Sequence, residues 1–424
     1  MLCNKHKAIK QGIRRKKQIY FCNNCEKYFH KPFVEKRSNA KQIFSDHLDG
    51  ISYRKLQARC GVDKKKLCKI VNETTNNFKN NFDITNQFLS QLKYVGNLVL
   101  DGKYIPVKEI SEINVLEIFG KIPKSKKRRK VVRGKVLIWG ADYPNHDIPI
   151  FEFGDSENNF AFDQYFRKLK LIGYPLVSLT VDDKAEIIRA LKRYFPNCII
   201  QLCIKHYMAK INRILAIRNI IIKIKSKEKR IEKLFDGDEN ECIPATRVHS
   251  IKTAAKLFNE ISELHFKYEL LLDFYEIICS ILAADDYNVA ILRIESLENY
   301  FWPKRFKMDF QKEHKNVVKK LMADFRESKD FLLNYLKHPH LHIPSTTNLI
   351  EGCNSQLELR LASIRGFESK ETAKNYINAW IIKRRFSKFT DCKKQFKHLN
   401  GKSPIECAGV DISNVQNWIK FCQK

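Results

Sequence analysis

The chain has 424 residues, 44% of them hydrophobic and 29% charged, the balance of a folded protein with room for two or three domains. Lys and Arg number 78 against 47 Asp and Glu, a formal net charge of +31. A field of that sign gathers polyanions, so nucleic acid is the expected partner. The longest apolar run, residues 277–284, is far short of the roughly 20 residues a spanning helix needs, and no secretory leader opens the sequence. Thirteen cysteines, an odd number, argue for burial or metal ligation in a reducing, intracellular setting rather than a disulfide framework.

Positive charge is concentrated at the start, where residues 1–80 hold 20 Lys+Arg and 6 Asp+Glu. Within residues 1–37, Cys3-x2-His6 and Cys22-x2-Cys25 form two ligand pairs separated by a basic, turn-forming stretch. Two residues between ligands let a tight knuckle present both side chains to one tetrahedral ion, so a structural Zn²⁺ ribbon is expected, with His30 an alternative to His6. Residues 38–92 then predict a helix–turn–helix. Ser38 caps a helix bearing Ile43, Phe44 and Leu48, a second helix runs over 53–59, and Cys60-Gly61-Val62 makes the tight turn. Asp63 caps a third helix that buries Leu67, Ile70 and Val71. Its Lys64, Lys65, Lys66 and Lys69 are left for DNA phosphates.

From Leu98 the pattern changes to short apolar runs at 98–100, 136–139, 148–153 and 176–181, which predict strands, followed by a helix over 185–195. Between Lys121 and Lys135 lie nine basic residues and no acid, Lys127, Arg128 and Arg129 at the centre. Such a run either grips backbone phosphates or forms a solvated loop. Residues 207–344 carry mostly helical periodicity. The order predicts an α/β core interrupted by helices. Trp302 is either core or a platform for a flipped base. His338, His340 and His342 alternate as strand-borne ligands would, but stand just before Pro344.

Three acids stand in suggestive places. Asp101 ends Leu98-Val99-Leu100, Asp182 ends the run 176–181, and Glu351 shares a polar helical stripe with Asn348 and Ser355. The carboxyl end of a parallel strand is where α/β sheets expose functional groups. Carboxylate oxygens suit Mg²⁺ or Mn²⁺.

The wording around these acids carries more. Asp101-Gly102-Lys103-Tyr104 and Asp182-Asp183-Lys184 are followed by Gln201-Leu202-Cys203-Ile204-Lys205-His206. Then come Thr346-Thr347-Asn348 through Glu351-Gly352, and Arg365-Gly366-Phe367. Together these resemble the Mutator-like transposase superfamily, in its bacterial insertion-sequence form, over residues 98–367. The resemblance implies an RNase H-like fold, its core of residues 93–206 and 345–424 split by an all-helical insertion over 207–344, and an Asp101/Asp182/Glu351 triad that binds Mg²⁺ or Mn²⁺. It also implies DNA cleavage and strand transfer by two-metal-ion chemistry. Where that family has glycine after the second acid this chain has Asp183, so Asp182 is preferred but Asp183 stays open. Cys203 and His206 match a Cys-x2-His pair that the family places beside the site, and with Asn348 they are expected in a structural role there. Expected partners are the transposon terminal repeats, target DNA and a second copy of the chain, in a nucleoid-associated bacterial protein. The alternatives are a DNA-binding regulator that keeps the fold without the chemistry, and an RNase H-like nuclease that cuts without joining.

Overall fold

A computed structural model describes residues 8–14, 17–23, 26–29, 40–109, 131–235, 244–300, 312–364, 366–415 and 417–423. The chain divides into two units, Met1–Asn77 and Phe78–Lys424.

The first unit opens with three antiparallel strands, β1 (Ala8–Arg14), β2 (Lys17–Cys22) and β3 (Lys27–Phe29), in the order β1-β2-β3. Three helices follow, α1 (Ala40–Leu48), α2 (Tyr53–Cys60) and α3 (Lys64–Asn76). Ser52 caps α2 by accepting the Lys55 N–H at 3.4 Å, and Asp63 caps α3 by accepting the Lys65 N–H at 2.8 Å. Between them Gly61 takes φ 69°, a left-handed conformation that glycine adopts without steric cost, and its N–H closes α2 on the Gln57 carbonyl. Ile43, Phe44, Leu48, Leu56, Leu67 and Val71 are buried together, while Ile70 is only half-buried.

The second unit is built on a mixed five-stranded sheet in the order β6-β5-β4-β7-β8. Its strands are β4 (Asn97–Glu109), β5 (Val131–Tyr143), β6 (Phe151–Gly154), β7 (Ser178–Val181) and β8 (Ile199–Leu202). The β4–β5–β6 part is antiparallel, and β4–β7–β8 is parallel. Helices α5 (Asn159–Leu171) and α6 (Ala185–Tyr194) bury Phe162, Tyr165, Phe166 and Leu191 with Leu98, Leu100, Val136 and Ile138. The strand expected at 148–153 forms only from Phe151. Pro149 has no N–H for a ladder, and the Ile148 and Pro149 carbonyls are taken by the side chains of Asn81 and Thr85.

Asn81 and Thr85 belong to α4 (Asn81–Gln87), so residues 78–92, grouped with the leader on sequence, are tied into this second unit. Helices α7 (Ile204–Leu215), α8 (Ile217–Phe235), α9 (Pro244–Leu282), α10 (Tyr287–Tyr300) and α11 (Lys312–Leu332) occupy the stretch read as an insertion. They share a core that includes Ile211, Phe274, Ile278, Leu321 and Phe325. Helices α12 (Asn348–Leu361) and α13 (Lys370–Phe386) then return to the sheet, where Trp380 packs on Trp139 with ring centroids 5.8 Å apart. Among the described residues no helix is long and apolar enough to cross a membrane.

Candidate functional site

The parallel pairing of β4 with β7 sets Asn97 beside Ser178 and Val99 beside Thr180, an offset of 81 residues. Continued two residues further, that register places Asp101 alongside Asp182, which follows the last residue of β7. Two carboxylates far apart in sequence therefore emerge at adjacent points of the sheet, at the carboxyl end of a parallel strand.

Each is held by its surroundings. Asp101 accepts hydrogen bonds from the Gly102 N–H at 2.7 Å and from Asn354 Nδ2 at 2.6 Å. Asn354 is oriented in turn by the Trp139 indole, which donates to its Oδ1 at 3.0 Å, so its amide N–H₂ faces the acid. Asn354 lies one turn beyond Glu351 on α12, and the same helix thus supplies the third acid and the clamp on the first. Glu351 accepts from Lys205 Nζ at 2.6 Å and from the Thr347 hydroxyl at 2.9 Å. Burial alone would raise its carboxyl, but these bonds and the charges of Lys205 and His206 outweigh it and hold the group below its usual range.

Between the second and third acids stands His206, in the first turn of α7. Its Nδ1 lies 2.5 Å from Asp182 Oδ1 and its Nε2 3.7 Å from Glu351 Oε1. The Asp182 contact lacks hydrogen-bond geometry, so Oδ1 is buried with no hydrogen-bond partner among the described residues. Cys203 caps α7, and its Sγ accepts from the Thr347 N–H at 3.3 Å and lies 3.2 Å from the Thr347 hydroxyl. That hydroxyl has one proton to give, and Glu351 is the charged acceptor in reach. Ligand atoms of Asp182, Cys203 and His206 all lie within 4.8 Å of one another, the one such group among the described residues. Asp182 thus joins the Cys-x2-His pair that sequence left two-membered.

A fourth carboxylate enters unannounced by any motif. Glu157, in the loop before α5, is largely buried and sits 2.5 Å from Lys184 Nζ. It lies directly over Gly102, where a Cβ would come within 2.0 Å of Glu157 Oε1, so any larger residue after the first acid would push the Glu157 carboxylate aside. Burial would lower the Lys184 ammonium, but Glu157, Asp182 and Asp101 raise it above its ordinary value. Lys184 is thus the internal counter-charge of the acid pair, as Lys205 is of Glu351. Sequence reasoning missed Glu157, Lys184, Lys205 and Asn354. Only Asn354, three residues after Glu351 on one helix, left a signal in the spacing.

The acids outnumber their counter-charges, and Asp101 records it. Burial first, then the charge of Asp182, pushes its carboxyl up to about 6. Asp182 is raised as well, by burial and the charges of Glu351 and Glu157 against His206 and Lys184. An acid raised by folding stabilises the native state at low pH, and that contribution is lost as pH climbs from about 4 to about 6. For Asp101 this is on the order of 3 kcal/mol. Asp101→Asn is accordingly expected to melt at a higher temperature than wild type at pH 8, with the advantage gone at pH 4. Calorimetry showing the same shift at both pH values would contradict this placement.

The other residues singled out on sequence are distributed as follows. Lys64, Lys65, Lys66 and Lys69 are exposed on α3, with Lys69 3.7 Å from Glu73. Asn348 is exposed and accepts from Lys205 at 3.2 Å. Asp183 is exposed, turned to Lys210 at 3.0 Å. Cys22 is buried at the end of β2, whereas Cys3, His6, Cys25 and His30 lie outside the described residues. So do Lys127, Arg128, Arg129 and Trp302. Lys135, the last of the basic run, is not available to phosphates, being buried against Asp155 at 3.0 Å. His338 and His340 face each other edge-on at 6.2 Å, outside any metal-type group among the described residues.

No protein-family profile and no curated protein matches this sequence. Among solved structures the chain is similar to the Drosophila P element transposase strand transfer complex, with a TM-score of 0.38 and 12% identity. The match covers 82% of this chain and 92% of that one. The likeness is too remote to assign a fold family or an activity.

Proposed function

We propose that this chain is a metal-dependent DNA-cutting and DNA-joining enzyme, a transposase of the Mutator-like insertion-sequence type. The observation that carries the reading is the gathering of Asp101, Asp182 and Glu351, from three separated segments, around one end of the sheet. The motifs that resemble that superfamily supply the reaction class, and the basic leader with exposed lysines on α3 supplies a DNA-facing surface.

The donor set fits a hard divalent ion. Raised carboxyls at Asp101 and Asp182 and a buried Asp182 oxygen without a hydrogen bond mark a site whose negative charge its own lysines do not balance. Asp101, Asp182 and Glu351 would hold Mg²⁺ or Mn²⁺. Held there, such ions would supply activation of a water or a 3′-hydroxyl and charge stabilisation for an in-line displacement. The chain's own residues prepare the site for this. Asn354 fixes the rotamer of Asp101, Thr347 and Lys205 fix Glu351, and His206 with Cys203 braces Asp182 from α7. Lys184, paired with Glu157 at 2.5 Å, also favours the ionised forms of Asp101 and Asp182 through its charge. Zn²⁺ in this reading is confined to the leader, where Cys3, His6, Cys22 and Cys25 would bind it.

The test is incubation of the full chain with DNA flanking its own gene, in Mg²⁺ and in EDTA. Metal-dependent nicking at one boundary together with joined products is the expected result. Binding to that DNA without metal-dependent cutting would replace this reading with that of a DNA-binding regulator. Cutting without joined products would leave a nuclease.

A further inference from the structure

Helix α9 spans 39 residues, Pro244 to Leu282, and one side of it needs no explanation: Ala254, Leu257 and Ile261 are buried in the helical core. A single apolar stripe is enough to dock a helix. Yet α9 carries a second stripe, turned to solvent. Val248, Ile251, Phe258 and Phe266 are each at least half exposed, at 52, 56, 56 and 50%, and Ala255 and Ser262 between them are exposed too. At 3.6 residues per turn these six positions fall within a sector of about 80°, forming a narrow seam roughly 27 Å long. It stops where Glu269 and Asp273 take over the same side. Helix α8 does not cover it, since α8 meets α9 through Lys227 and Glu260 on another side.

The order of residues along the seam is self-complementary. About a two-fold axis near Leu257, an antiparallel second copy brings Phe266 opposite Val248, Ser262 opposite Ile251 and Phe258 opposite Ala255. Each large side chain meets a smaller one, as interdigitating helices require. The flanking charges obey the same axis. Lys252 and Glu263, both exposed, lie on one border of the seam. The two-fold sets each Lys252 across from the other copy's Glu263. A parallel pairing in register would instead stack Phe258 on Phe258 and put the two Lys252–Glu263 borders on opposite sides of the pair. We infer that the chain forms a homodimer through α9, two copies packing antiparallel along the Val248–Phe266 seam. This surface is separate from the acid cluster and does not depend on what that cluster does.

The test is sedimentation velocity of the full chain without DNA over a concentration series, with circular dichroism to establish that each variant keeps its helix content. Wild type is expected to shift from monomer to dimer as concentration rises, and Phe258→Glu, at an exposed position, to remain monomeric. Lys252→Glu alone and Glu263→Lys alone each set like charges together twice and should weaken the dimer roughly tenfold or more. The double exchange Lys252→Glu with Glu263→Lys should restore it. A chain that stays monomeric throughout overturns the inference, as does a dimer indifferent to Phe258→Glu. A double exchange that fails to restore association overturns the antiparallel arrangement.

Discussion

Asp182→Asn and Glu351→Gln are each expected to reduce metal-dependent DNA cutting about 10³-fold or more, while affinity for the same DNA changes little. The magnitude follows from the several kcal/mol that charge stabilisation by bound metal contributes to a phosphoryl transition state, each 1.36 kcal/mol being a factor of ten in rate. Asp101→Asn should act alike on rate, although it is also the substitution expected to stabilise the resting protein at pH 8. Loss of rate with gain of stability is the signature of a site that spends folding energy to hold like charges together. Asp183→Asn is the informative control. Its carboxylate faces Lys210, which is shared with Asp324 at 2.7 Å, and not the cluster. Its removal should leave the cutting rate within about twofold, because no transition-state contact is lost.

Arg385→Ala is expected to destabilise the second unit by about 3–5 kcal/mol, the range for stranding one member of a buried ion pair. The Arg385 guanidinium on α13 is fully buried. It holds both oxygens of the equally buried Asp147 at 2.8 Å, and donates to Asn81 and Thr85 of α4 at 2.7 and 2.8 Å. One side chain thereby joins the helix that opens this unit, the loop after β5 and the helix that follows the Glu351 segment. Without it Asp147 keeps the Tyr94 hydroxyl but no cation among the described residues. Denaturant melts would read the loss as a lower midpoint at an unchanged slope. A change below about 1 kcal/mol would mean that this network does not hold the unit together. Arg385→Lys should recover only part of the loss, since a lysine cannot satisfy two carboxylate oxygens and two helix side chains from one point.

The elements were largely legible where local chemistry decides them. Gly61 and Asp63 mark the turn and the start of α3 in the order a capping argument expects, and apolar runs located β4, β5 and β7. Where a proline and two distant side chains intervened, at Ile148 and Pro149, the pattern overstated the strand. The three acids could be named from their surroundings, but not their union. An 81-residue spacing means nothing until β4 and β7 are known to be parallel neighbours in that register. Lys184 and Lys205 stood inside the quoted motifs, but nothing local marked them as counter-charges to the acids. Glu157 had no pattern at all, and its one trace is the glycine at 102 that leaves it room. The Arg385–Asp147 pair, 238 residues apart, lies beyond any local rule. Long-range polar networks are settled by tertiary packing, and a single sequence carries no period that encodes them.

The central claim is that Asp101, Asp182 and Glu351 form one cation site, and direct measurement of Mn²⁺ binding by electron paramagnetic resonance tests it without relying on turnover. The full-length wild type should take up Mn²⁺ in a form displaced by excess Mg²⁺. Asp182→Asn and Glu351→Gln should each lose that uptake, and Asp183→Asn should retain it. Uptake unchanged in Asp182→Asn, or lost equally in Asp183→Asn, would contradict the site described here.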